Sequence, residues 1–195
     1  LTLVTDAVHE LGNIAVPTAV IASTDPTVLR MLALSNREGR DLSRAANWTV
    51  LQRLHTFATV ASTAEYALPD DYDRLLVDTE WNRSTYEPLM GPLSPEHWQA
   101  IKSGLIGSGV VGQRYRIFRS ASSTSRKFTI DPTPSSVETL AFEYISSYWC
   151  STSGGTAQAA WAADTDLSLL DDDLMRLGLI VRFKRAVGLD FASEA

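Results

Sequence analysis

"WAADTDLSLLDDDLMRLGLIVRFKRAVGLDF", Trp161 to Phe191, carries Asp164, Asp166, Asp171, Asp172 and Asp173 in its first half, with Arg176, Arg182, Lys184 and Arg185 following. Either the acids make a metal or catalytic site, or the segment is a helix that needs one charge at each end. Leu167, Leu170, Leu174, Leu177 and Val181 fall three and four apart and predict a helical stripe. Asp164 or Thr165 can cap its start, and Gly188 stands where a C′ residue ends it. Three consecutive aspartates fan out around a helix and cannot converge on one ion. The trio Asp164, Asp166 and Asp171 lacks the glycine and closing glutamate of a calcium loop. Early acids and late bases match the helix dipole, each contributing about 0.3–1 kcal/mol at a surface, and Asp172 with Arg176 makes an i,i+4 pair. The helical reading outweighs the metal one.

Upstream, Leu3, Val4, Ala7, Val8 and Leu11 predict a short helix over 2–11 that stops at Gly12. Asp25 as N-cap and Pro26 at N1 open a second helix. Its stripe of Val28, Leu32, Ser35, Gly39, Leu42 and Ala46 is small in the middle, where another helix could approach closely. Intrachain packing is favoured there over a subunit contact, and Trp48 reads as a core residue. From Val50 the pattern turns to short strands, with a turn at "YALPDDYD". "GPLSPEHWQAIKSG" encodes a short helix capped by Ser94, with Pro95 at N1 and Gly104 as its stop. "QRYRIFR" and "KFTIDP" predict a hairpin whose Ser-rich connection is longer than a tight turn requires, so it is expected to be mobile or ordered by a partner. "TLAFEYISSYW" reads as a further strand, and "STSGGTAQAA", residues 151–160, as a flexible bridge.

At 195 residues, 45% hydrophobic and 21% charged, the chain can bury its own core. It reads as soluble and intracellular, with no span long and apolar enough for a bilayer. The formal charge of −6 disfavours a nucleic-acid clamp, which works through lysine and arginine displacing counterions. An acidic wall can nonetheless surround DNA without gripping it. Cys150, alone among Tyr148 and Trp149, excludes an intrachain disulfide and reads as an inert buried thiol. "GLIGSGVVG" lacks the lysine of a P-loop, and neither G-x-S-x-G nor H-E-x-x-H occurs. His97 sits at N3 of its helix without an acid or nucleophile pattern. No cofactor is implied.

The order of these pieces carries more than any one of them. Helices ending in "ANW", then "ALPDDYDRLL", "GPLSPEHWQAIKSG", "YRIF", "AFEYISSYW" and the acidic-to-basic segment resemble, over nearly the whole chain, the head-to-tail adaptor (connector) proteins of tailed bacteriophages, of the short-tailed type. The resemblance implies a non-enzymatic virion protein of the neck, made in the host cytoplasm. It implies a ring, usually dodecameric, beneath the portal protein, extending the DNA channel and seating the next tail component, whether nozzle, stopper or tail tube. Genomic DNA would pass through it without specific binding, and no membrane is involved. Carried onto this chain, it makes Arg182, Lys184, Arg185, Leu189 and Phe191 candidate portal contacts. It makes Ser120, Ser122, Ser123, Ser125 and Arg126 a candidate tail-side loop.

The expected fold is α+β: a single adaptor domain over 1–195, with a helical bundle from about 1–48 and 162–188 and an inserted antiparallel β lobe over about 50–150. The rivals are a stopper, tail-completion or tail-tube protein of the same virion, and a small metal-dependent hydrolase using Asp164, Asp166 and a histidine.

Overall fold

The computed structural model describes residues 2–12, 14–104, 112–119 and 126–189. In chain order the elements are α1 (Thr2–Leu11), α2 (Pro26–Ala45), a 3-10 turn (Thr49–Leu51), β1 (Gln52–Ala58), β2 (Glu65–Ala67), β3 (Tyr72–Leu75), β4 (Trp81–Asn82) and β5 (Glu87–Pro88). There follow α3 (Pro95–Lys102), β6 (Arg114–Arg119), β7 (Arg126–Asp131), β8 (Thr139–Ser146), β9 (Cys150–Ser151), β10 (Ala157–Gln158), β11 (Leu167–Ser168) and α4 (Asp172–Val187). The fold is α+β, in two compact units: residues 1–52 with 146–195, and residues 53–145.

The first unit is helical. α1 buries Leu3, Val4, Ala7 and Val8 and ends at Gly12, which takes the left-handed conformation a Cβ would strain. The Asp25 carboxylate caps α2 by accepting from the Thr27 and Val28 amides, and Pro26 sits where its missing N–H costs nothing. α1 and α2 both pack on α4.

α4 begins at Asp172, not near Asp164, and its buried side is Met175, Leu179, Ile180 and Phe183. The leucine stripe expected from the sequence is therefore wrong. Leu167 lies in β11, and Leu174 and Leu177 are exposed. Two stripes of helical spacing overlap in this segment about 100° apart, and the one with the bulkier Met175 and Phe183 faces the bundle.

What holds residues 164–168 out of the helix is their own side chains. Asp164 accepts from the amides of Val20 (3.1 Å) and Ile21 (2.9 Å). Asp166 accepts from Ala162 (2.7 Å), Ala163 (2.8 Å) and the Gln158 side chain. The segment expected as a flexible bridge instead forms a small sheet in the order β10-β9-β11, with Ala157 and Leu167 both opposite Ser151.

The small-residue stripe of α2 receives indoles rather than a helix. Trp149, fully buried, lies on Gly39, and Trp161 donates its Nε1–H to Ser35 Oγ at 2.9 Å. The two rings meet edge to face at 4.8 Å, a favoured aromatic arrangement. Trp48 is half-buried and uses its Nε1–H to cap the Leu42 carbonyl at 2.7 Å.

The second unit is built on two sheets. One has the order β1-β8-β4-β5 with β3 also paired to β8, and the other the order β2-β7-β6. β6 and β7 form the expected antiparallel hairpin, Arg114 opposite Asp131 and Arg119 opposite Arg126. Tyr115, Phe128 and Phe142 stack in succession, with centroids 4.7 and 5.3 Å apart, at the centre of a core completed by Leu68, Leu89, Ile130, Leu140 and Tyr144. Asp70 and Asp71 of "PDDYD" make the expected turn, which leads straight into β3 at Tyr72, and Asp71 accepts from the Tyr144 hydroxyl at 2.8 Å.

Candidate functional site

Chemistry was expected to be absent, and the acids that would carry it have structural work. Burial pushes the Asp166 carboxyl up, but the Ala162 and Ala163 amides and Gln158 outweigh burial and hold it below the ordinary carboxylate range. Asp171 is the true N-cap of α4, accepting from Asp173 and Leu174 at 3.0 Å each. Asp172 and Asp173 occupy the first turn and Lys184 and Arg185 the last, so the dipole-matched charges expected from the sequence are present. Arg176 pairs with Asp173 at 2.9 Å and with Glu10 at 3.5 Å rather than with Asp172.

Cys150 is fully buried, and burial pushes its thiol up to about 12, which keeps it from acting as a thiolate at neutral pH. His97 stays at the N-terminus of α3, where its amide donates to the capping Ser94 Oγ. His55 lies against the rings of Phe57 and Phe142. Among the described residues, no group of three His, Cys, Asp or Glu is placed to hold a metal, and no helix is long and apolar enough to cross a membrane.

The candidate contact residues fall into separate settings. Arg182 is bound within its own unit, with Nε to Glu38 and Nη2 to Asp41 at 2.9 Å, both on α2. Its side chain is 25% exposed and Glu38 is mostly buried, so this pair joins α4 to α2. Lys184 and Arg185 lie in the last turn of α4, and Gly188 (φ 74°) reverses the chain there, its amide meeting the Arg185 and Lys184 carbonyls. Leu189 follows, exposed, and Phe191 lies outside the described residues. Ser120, Ser122, Ser123 and Ser125 also lie outside them. Arg126 opens β7, donates to the Asp73 carbonyl and sits over the Tyr72 ring at 5.5 Å.

One surface was not singled out from the sequence. Leu54, Thr79, Trp81, Asn82, Arg83, Tyr86, Ala141 and Glu143 line an open groove of about 560 Å³ in the second unit. Trp81 and Tyr86 are well exposed there. The signal available was an aromatic pair around a two-residue strand too short to show alternation.

The fold has a structural core in each unit and leaves its charged helix ends and one apolar groove at the surface. Such surfaces suit a part that assembles with others, which is the class of protein the chain defines. Residues 1–194 match the family model described as SU10 adaptor protein, and the chain belongs to that family of phage head-to-tail adaptor proteins. A comparison with curated proteins finds no match. The family role is structural, between head and tail of the virion.

Proposed function

We propose that this chain is the subunit of a ring, dodecameric, that seats beneath the portal, extends the DNA channel and presents a platform to the next tail component. The observation that supports this most is the family match, which runs through both units. The whole of 1–195 works as one adaptor domain, with the helical part at about 1–48 and 162–188 and the β lobe at about 50–150. The portal contact lies at the C-terminal end of α4, through Lys184, Arg185, Leu189 and Phe191. Arg182 contributes by fixing α4 to α2 through Glu38 and Asp41. The tail-side contact is made through Ser120, Ser122, Ser123, Ser125 and Arg126. An acidic chain of charge −6 lets DNA slide past it, and no catalysis is part of the role.

Mass photometry of the purified protein, alone and mixed with the portal encoded by the same genome, tests this reading. A discrete portal-bound ring, with the free protein small at micromolar concentration, supports templated assembly. If the mixture leaves both masses unchanged, the ring assignment fails.

A further inference from the structure

The exposed side of α2 is built from arginine. Its buried line runs through Val28, Met31, Ser35, Glu38, Gly39 and Ser43, while Arg30, Arg37, Arg40 and Arg44 are exposed on the other side, with Asp41 beside them. Arg30, Arg37 and Arg44 recur every seven residues, so they stay near one line and stand about 10 Å apart along the axis. α4 adds Arg185 across a groove of about 210 Å³ lined by Leu34, Arg37, Arg182, Arg185 and Ala186.

In a chain of net negative charge this is segregation, and the complementary acids lie in the same unit. Asp6 and Glu10 on α1 and Asp171, Asp172 and Asp173 at the start of α4 are all exposed, with Arg176 among them. Burial and then the neighbouring Asp171, Asp173 and Asp6 hold the Asp172 carboxyl above the ordinary range, so these acids repel one another within a single chain.

We propose that the arginine face of α2, with the groove beside it at Leu34 and Arg37, receives the Asp6 and Asp172 end of a second copy of this chain. The two patches are different surfaces, so each contact leaves one patch open on either partner and the association continues heterologously until rotation closes it. The face already holds carboxylates, with Asp41 bound by both Arg37 and Arg182. Leu34 and Ala186 give the groove apolar walls, which a protein side chain fills and a phosphate backbone does not. This contact rests on the ring reading for its place in the virion, and its test does not.

Sedimentation velocity of the full chain at high protein concentration, at about 20 mM and about 500 mM salt, reads the contact directly, since exposed charges are screened at the higher value. The wild type self-associates at low salt and dissociates at high salt. One variant carries Arg37→Glu and Arg40→Glu, the other Asp6→Lys and Asp172→Lys. Each alone loses self-association by about tenfold or more, because like charges then face each other. Their equimolar mixture regains it, because both signs are reversed together.

A wild type that stays monomeric at low salt, swaps that associate normally, or a mixture that stays apart overturns the proposal. So does an arginine variant that keeps self-association and loses only retention on duplex DNA, which would make the face a phosphate site. Thermal melts check folding. If a swap unfolds, Arg40→Gln and Asp6→Asn replace it, each expected to weaken association several-fold, and unchanged association in both overturns the contact. Mixing with portal is scored separately: charge-dependent self-association without a portal-bound ring removes the adaptor-ring reading and leaves this contact standing.

Discussion

Adding one methyl group to α2 should cost stability at Gly39, where helix propensity alone predicts a gain. Alanine is favoured over glycine in a helix interior by about 1 kcal/mol. At Gly39, however, a Cβ would overlap the middle of the Trp149 ring, not the tip of a side chain that can swing away. That indole is fully buried, held by its Nε1–H on the Ala159 carbonyl at 2.8 Å and braced edge-on by Trp161. Overpacking a rigid site costs about 1–3 kcal/mol, and the depth of this overlap puts Gly39→Ala at the upper end. Subtracting the propensity gain leaves a net loss of about 2 kcal/mol, which for a protein of this size lowers Tm by roughly 4–8 °C. Ala33, exposed on the same helix, is the control: Ala33→Gly should lose about 1 kcal/mol from propensity alone. Thermal unfolding followed by tryptophan fluorescence and by circular dichroism measures both. A Gly39→Ala protein as stable as wild type, or more so, would refute the reasoning that the small stripe exists to seat Trp149.

Arg182→Ala leaves the mostly buried Glu38 without its partner and should destabilise the chain by about 1–3 kcal/mol in denaturant titration, less than for a fully buried pair because Arg182 is partly exposed; an unchanged midpoint would mean the pair holds nothing. Asp166→Asn weakens an acceptor serving three donors and should cost about 2–3 kcal/mol at pH 7. Because the folded Asp166 carboxyl lies below its unfolded value of 3.8, its contribution is present above that value and is lost as pH falls through the depressed one. The gap between wild type and Asp166→Asn should thus narrow in acid, and a constant gap from pH 7 to pH 3 would contradict that origin. The Cys150 thiol should resist aromatic disulfide reagents in native buffer and react only on unfolding, so stoichiometric labelling within seconds without denaturant would show that it is not buried.

Much of the helical structure in both units was legible because its signals are local. Asp25 with Pro26 and Ser94 with Pro95 mark helix starts by satisfying specific orphan amides, and the structure has both caps. Gly12 and Gly188 end their helices in the left-handed conformation that glycine alone adopts freely. The start of α4 was misread because the competing partners are far away in sequence: Asp164 is claimed by Val20 and Ile21, and no window around residue 164 contains them. The small stripe of α2 failed in the same way, since Gly39 and Ser35 predict a close neighbour but not whether it is a helix or the indoles of Trp149 and Trp161. The candidate contacts were read by position, and position does not distinguish Arg182, turned to Glu38 and Asp41, from Arg185 a turn later.

The density of aspartate in residues 161–173 follows from this. Three of the five acids each meet a different set of backbone donors. Asp164 closes the Val20 and Ile21 amides, Asp166 those of Ala162 and Ala163, and Asp171 those that open α4. A short irregular segment between two regular elements has many amides with no ladder or helix to receive them, and an ionised carboxylate is the strongest small acceptor for each. Acids recruited this way point at their own donors, and among the described residues no three of them gather to hold a metal. Asp172 and Asp173 remain, placed by the helix dipole and facing outward with Asp6. Asp173 is paired with Arg176, and both acids sit at the end of α4 opposite the one that carries Lys184 and Arg185.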